Sequence, residues 1–210
     1  MIIPSKEFWN QFKATNGALS CCEALAIMNI ASQAPNGGKY GELGSHKGKS
    51  AMAAIFGLKP TDFFLDDLIF EDNSIVAEAG RAIQKAVGYT LNLSFYQCES
   101  LILIPRLSNI SYVFVDTGVH DDMVMEEVKL LEDRMVSGGI ICFHDYLNQF
   151  TAVERAYDYL LSTNKFDRVS IDWEEIINYV RDNDLETGNN SWHVYEENPF
   201  PNFVGALRRK

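Results

Sequence analysis

Glu42, Asp66, Glu99, Asp116, His144 and Asp145 each stand where an apolar run of this sequence breaks. A carboxylate in such a place can accept hydrogen bonds from paired hydroxyls, hold a cation or take a proton. An imidazole can move a proton near neutral pH. The densest such stretch is Lys39-Tyr40-Gly41-Glu42-Leu43-Gly44-Ser45-His46-Lys47-Gly48-Lys49-Ser50-Ala51. It reads as the end of a strand, a tight glycine turn and the start of a helix. Glycine serves where φ must be positive or a ligand comes close to the backbone. The helix start offers free N–H groups and the positive end of a dipole. With the Glu42 carboxylate beside it, the crevice suits a polar ligand that is partly cationic or rich in hydroxyls. Two nucleotide frames fail here. A phosphate-binding G-x-x-x-x-G-K-[ST] would need glycine at Leu43, and G-x-G-x-x-G would need glycine at His46 and Lys49.

The elements that must position these residues follow from periodicity. Residues 5–16 and 21–32 read as amphipathic helices, the second with a Ser20/Glu23 capping box. Strands are expected at 39–43, 61–66, 90–96, 111–116 and 140–143, with helices at 50–58, 73–87, 101–107 and 123–135 between them. Ser137-Gly138-Gly139 is expected to turn the chain, and a further helix is expected at 153–161 and a strand at 166–171. Residues 172–200 read as an insertion before a last strand at 202–207, and residues 1–38 as an N-terminal helical cap on a single domain. Strand–helix alternation with apolar strands indicates a doubly wound, Rossmann-like α/β sandwich around a mostly parallel sheet. Crossovers in such a sheet are right-handed, and ligands bind at the strand C-terminal ends. All the residues named at the outset fall there. Asp66, at the second tip, is placed to take two ribose hydroxyls of a nucleoside, ahead of its neighbour Asp67.

Composition narrows the partners. A net charge of −11 repels phosphate backbones, and basic residues cluster at Arg208-Arg209-Lys210 alone, so a nucleic-acid substrate is disfavoured. No apolar run approaches a membrane span, and residues 1–7 lack the pattern of a signal peptide. The four cysteines form no C-x-x-C pair and read as free thiols in a reducing compartment. The expected location is the cytoplasm.

The quoted loop, with the form E-x-G-S-x-x-G-x-S, resembles the first motif of class I S-adenosylmethionine-dependent methyltransferases. It is most similar to a small-molecule O-methyltransferase subset of the macrocin and FkbM type. Phe114-Val115-Asp116 and Gly138-Gly139-Ile140-Ile141-Cys142-Phe143-His144-Asp145-Tyr146 extend the resemblance, which runs from about residue 17 to 145 and again over 203–210. It implies a seven-stranded sheet with an antiparallel last strand. It also implies S-adenosylmethionine bound at Glu42, Gly44, Ser45, Gly48, Ser50, Asp66 and Asp116, with Glu99 and Ser100 flanking the adenine. In relatives that use Mg2+, the metal ligands end the fourth and fifth strands, here Asp116 and Asp145. His144 stands where a second acid is frequent, and Asp116-Thr117-Gly118-Val119-His120 carries one residue more than the usual Asp-Gly-x-His.

The reading is methyl transfer to an oxygen, less readily a nitrogen, of a small molecule. Asp116, His120 and His144 are the candidates for proton handling. The alternatives are a non-catalytic S-adenosylmethionine-binding scaffold and a P-loop-like nucleotide hydrolase. Asp116 and Asp145 should emerge side by side, and so close a pair needs a cation or an imidazolium to offset its repulsion. Aromatic residues outside the sheet, Phe8, Trp9, Phe12, Trp173, Trp192 and Tyr195, suggest a homodimer contact.

Overall fold

The computed structural model describes residues 1–17, 19–117, 122–146, 151–185 and 204–210. Two helices, α1 (Lys6–Ala14) and α2 (Cys21–Ala31), precede strand β1 (Lys39–Leu43). Then come α3 (Lys49–Leu58), β2 (Asp62–Asp66), α4 (Asn73–Val87), β3 (Asn92–Tyr96), a short α5 (Ser100–Leu103) and β4 (Ile110–Val115). The chain continues through α6 (Met123–Glu132), β5 (Met135–Phe143), α7 (Thr151–Ser162), β6 (Phe166–Arg168), α8 (Trp173–Asp182) and β7 (Gly205–Arg209). The seven strands form one sheet in the order β3-β2-β1-β4-β5-β7-β6, with β7 antiparallel to both its neighbours. This is the expected Rossmann-like sandwich.

Both sheet faces are covered, which is why β4 and the second half of β5 are almost wholly apolar. Along β4, Tyr112 and Phe114 join the core under α1–α4 and α8, while Val113 and Val115 join the core under α5–α7. That alternation is the period-two pleat of a strand. Local chemistry sets the helix ends. Ser20 and Glu23 make the capping box at the start of α2, and Gly88, in the left-handed region at φ 75°, stops α4.

Three expectations shift. Ser137, Gly138 and Gly139 lie inside β5, not in a turn before it. The pairing jumps from Ile110↔Met135 to Tyr112↔Ile140, so β5 carries extra residues there, and Gly138 at φ 79° absorbs them as a bulge. The strand expected over 166–171 ends at Arg168, and the last strand runs over Gly205–Arg209. The start of the expected insertion is the helix α8, whose Ile176 and Val180 are buried. Phe8, Trp9 and Phe12 are buried within the chain: their rings pack on one another, and Phe8 also packs on Phe56. These three aromatics are therefore consumed by the chain's own core and supply no open face for a second copy. Trp192 and Tyr195 lie outside the described residues. Among the described residues no helix is long and apolar enough to cross a membrane.

Candidate active site

The strand tips of β2, β1, β4 and β5 stand side by side, and the site divides into two corners. The first is the turn between β1 and α3. Gly44 takes φ 82°, and a Cβ on it would lie 2.1 Å from the Asp116 carbonyl oxygen. Glycine is required there by both its conformation and its space. The Gly44 and Ser45 amides donate to the Asp66 carbonyl at 2.9 and 3.0 Å, tying the turn to the tip of β2. Gly48, at φ 76°, caps α3.

Glu42 is fully buried at the end of β1. Ser50, on the first turn of α3, donates its hydroxyl to Glu42 Oε1. The other oxygen, Oε2, is buried with no hydrogen-bond partner among the described residues. Burial outweighs the Ser50 bond and raises the Glu42 pKa well above the usual carboxylate value. Asp66 is also buried, and the Cys98 thiol donates to its Oδ1 at 3.6 Å. Burial pushes the Asp66 carboxyl up to about 6. Asp67 serves the local backbone, accepting from the His46 amide at 2.7 Å and the Ile69 amide at 3.1 Å. Glu99 is exposed just ahead of α5. The buried Ser100 turns its hydroxyl to Glu127 of α6, which also accepts from the Thr117 hydroxyl at 2.6 Å. Glu127 has no part in the sequence reading. Its surroundings on an amphipathic helix look ordinary until the fold brings the start of α5 and the segment after β4 onto it.

The second corner joins β4 to β5. His144 Nδ1 lies 3.3 Å from Asp116 Oδ1 and 3.5 Å from Asp145 Oδ2. The two carboxylates expected to meet thus share one imidazole. Asp145 sits in the left-handed region at φ 57°, a conformation Asp tolerates better than most residues and one common where side chains are aimed at a site. The ring's far nitrogen, Nε2, lies 3.2 Å from Oε1 of Glu23 on α2. Burial lowers the His144 pKa, but the Asp116 charge and the bonds to Asp116, Asp145 and Glu23 outweigh it and hold the value well above that of a free histidine. Asp116 keeps a side chain 30% exposed, against 12% for His144 and 16% for Asp145, so it is the member most open to an incoming molecule. Burial raises its pKa, and His144 opposes that rise. One oxygen from each aspartate and one imidazole nitrogen lie within 4.8 Å of one another, a spacing that could hold a metal ion. His120 lies outside the described residues. Glu23 escaped the sequence reading, where it counted as a helix cap alone; a nearly buried acid so close to apolar neighbours was the available signal.

A family model described as a methyltransferase domain matches residues 42–146, half of the chain. That span holds the glycine turn and both pairs of strand tips. No curated protein matches the chain in sequence. Among solved structures, a protein from Corynebacterium glutamicum is similar over 98% of this chain and 90% of its own, with a TM-score of 0.66 at 13% identity. The O-methyltransferase TomG of Streptomyces achromogenes, involved in tomaymycin synthesis and solved in complex with S-adenosylmethionine, has a TM-score of 0.60 at 16% identity. It covers 81% of this chain and 85% of its own. An O-methyltransferase from Bacillus cereus, solved with S-adenosylhomocysteine, also has a TM-score of 0.60, at 12% identity and with 81% and 86% covered.

Proposed function

The chain belongs to the methyltransferase domain family, and on that premise we propose that it moves the methyl group of S-adenosylmethionine to an oxygen of a small-molecule acceptor. The observation that carries the reading is the sheet order. β2, β1, β4 and β5 are consecutive neighbours, so the Glu42–Asp66 corner and the Asp116–His144–Asp145 corner open on one crevice. The first corner binds the cofactor. Asp66 accepts from the ribose hydroxyls, and the Glu42 oxygen that has no partner among the described residues receives a donor from the cationic part of the ligand. Ser45, Gly48 and Ser50 line the turn, and Glu99 and Ser100 stand on the adenine side. The acidity of the crevice suits a sulfonium ligand. The solved neighbours that carry this cofactor or its product support the same reading.

The methyl group is already activated, so catalysis is chiefly in-line positioning. The acceptor oxygen forms the new C–O bond, the S–C bond breaks with its electron pair left on sulfur, and the hydroxyl proton passes to a base. Asp116 takes that proton: its side chain is the most open of the three groups and lies at the tip of β4. His144, with carboxylates at both ring nitrogens, orients Asp116. The donor set of Asp116, His144 and Asp145 fits a divalent cation, which would acidify an acceptor hydroxyl when bound.

Calorimetry with S-adenosylhomocysteine, followed by a methylation screen across hydroxylated small molecules, tests this reading. Tight binding and methyl ethers as products are expected. No binding, or methyl groups delivered to nucleic acid alone, overturns it.

A further inference from the structure

We propose that Glu23 of α2 is the positioning residue of a transition-metal site at Asp116, His144 and Asp145, selective for Mn2+, Co2+ or Zn2+ over Mg2+. The inference rests on reading these strand tips as the chemical centre. It starts from the helix cap. Glu23 Oε2 accepts from the Ser20 backbone amide at 2.8 Å, and the Glu23 amide returns a bond to the Ser20 hydroxyl at 3.1 Å. A carboxylate pinned through one oxygen has the other in a fixed place. That other oxygen, Oε1, meets His144 Nε2 at 3.2 Å. Once a cation displaces the Nδ1 proton, an imidazole whose Nε2–H is held by a carboxylate presents its Nδ1 lone pair away from that carboxylate. There Nδ1 faces Asp116 Oδ1 and Asp145 Oδ2, at 3.3 and 3.5 Å. Glu23 carboxylate, imidazole and aspartate pair then follow one another, the arrangement that raises a ligand's basicity and fixes its tautomer.

Charge and donor type point the same way. Glu23, Asp116 and Asp145 surround a single imidazole. That excess of acid is offset by a bound cation. Mg2+ favours oxygen ligands, whereas an imidazole nitrogen in the set shifts preference toward later first-row ions. The imidazole of His144 at this tip therefore sets which ion is chosen.

The test uses the full chain freed of metal with a chelator. Mn2+ binding is read from loss of the free-ion paramagnetic resonance signal, Co2+ binding from visible absorption, and Mg2+ binding from calorimetry. Mn2+ and Co2+ should bind at least about tenfold more tightly than Mg2+. Glu23→Gln should weaken Mn2+ binding about 10- to 100-fold. Its amide oxygen can still accept from Ser20, but its nitrogen cannot accept from Nε2, so the cap and the fold persist. His144→Asp, which makes the set all oxygen, should bring Mg2+ level with Mn2+ or ahead of it. The proposal is overturned if the wild type binds neither Mn2+ nor Co2+ at millimolar concentration or prefers Mg2+. It is equally overturned if affinity is unchanged in Glu23→Gln, or if binding survives in Asp116→Asn/Asp145→Asn. S-adenosylhomocysteine calorimetry on the same samples separates the outcomes. Loss of the metal site with cofactor binding intact defeats this inference alone.

Discussion

The two corners of the crevice are built by different means. The β1–β2 corner is made from near neighbours: Ser50 reaches Glu42 across eight residues, and His46 reaches Asp67 across 21. The β4–β5 corner is closed by Glu23, 121 residues from the histidine it meets. A corner assembled from adjacent residues is held by its own turn. A corner assembled from distant ones depends on the N-terminal helices staying packed against the sheet. Substitutions at the first should therefore act on the cofactor, and those at the second on the chemistry.

The largest effect should break that division if it is wrong. Asp116→Asn removes the proposed proton acceptor and should lower kcat by about 10²- to 10⁴-fold. Affinity for S-adenosylhomocysteine should stay within a few-fold of the wild type, since the cofactor is held in the other corner. Steady-state kinetics on an identified acceptor, paired with calorimetry, read both. Unchanged kcat/KM removes Asp116 from the chemistry.

Gly44→Ala tests how far the corners are mechanically separate. The new Cβ would meet the Asp116 carbonyl at 2.1 Å and force a left-handed φ on alanine. Left-handed backbone costs about 1–2 kcal/mol and the clash adds to it, so a loss of roughly 2–3 kcal/mol is expected. For a chain of this size that lowers Tm by about 5–10 °C. An unchanged melting curve would show that the turn has room to move away from β4.

Asp66→Ala should weaken S-adenosylhomocysteine about 10- to 150-fold, the loss of hydrogen bonds to a charged group. The wild type should also show a pH dependence. The Asp66 carboxyl lies at about 6, above its usual value, so it gains its proton as pH falls through that point. Cofactor affinity should then fall below pH 6 and level off above it. Asp66→Asn should flatten the curve, and an equally steep curve in that variant would assign the dependence to another group.

The fold was legible because its signals are local. Apolar strands with acidic tips, the glycine turn and the capping box at Ser20 each declare themselves within a few residues, and parallel topology then places every tip on one edge. What was not legible came from packing. The bulge at Gly138 looked like a turn, because glycine pairs mark both. The α1 aromatics looked free for a partner because nothing in the sequence says which helix covers them. Glu23 and Glu127 act across the fold: one reaches His144 and the other joins Ser100 to Thr117. No spacing rule connects residues that meet only after the sheet has formed.

Glu42→Gln should have the smallest effect on stability and the sharpest meaning for the comparison. Glu42 is fully buried, with Ser50 bonded to one oxygen and, among the described residues, no partner on the other. Burial holds its pKa well above normal, so the ligand-free protein keeps the protonated acid to a higher pH than an exposed glutamate would. Glutamine has nearly the same shape and is also neutral, and its oxygen can still accept from Ser50. The Tm of the ligand-free protein should therefore move by no more than about 2 °C. Cofactor binding differs, because the ammonium group of the ligand favours the ionised carboxylate and drives its proton off. Wild-type calorimetry in buffers of different ionisation enthalpy should show proton release on binding S-adenosylhomocysteine. The variant should bind about tenfold more weakly and release less. A large rise in Tm would mean that Glu42 is charged before the ligand arrives, since removing a buried and uncompensated charge stabilises the fold. Unchanged affinity would leave the cofactor corner to Asp66 and the glycine turn.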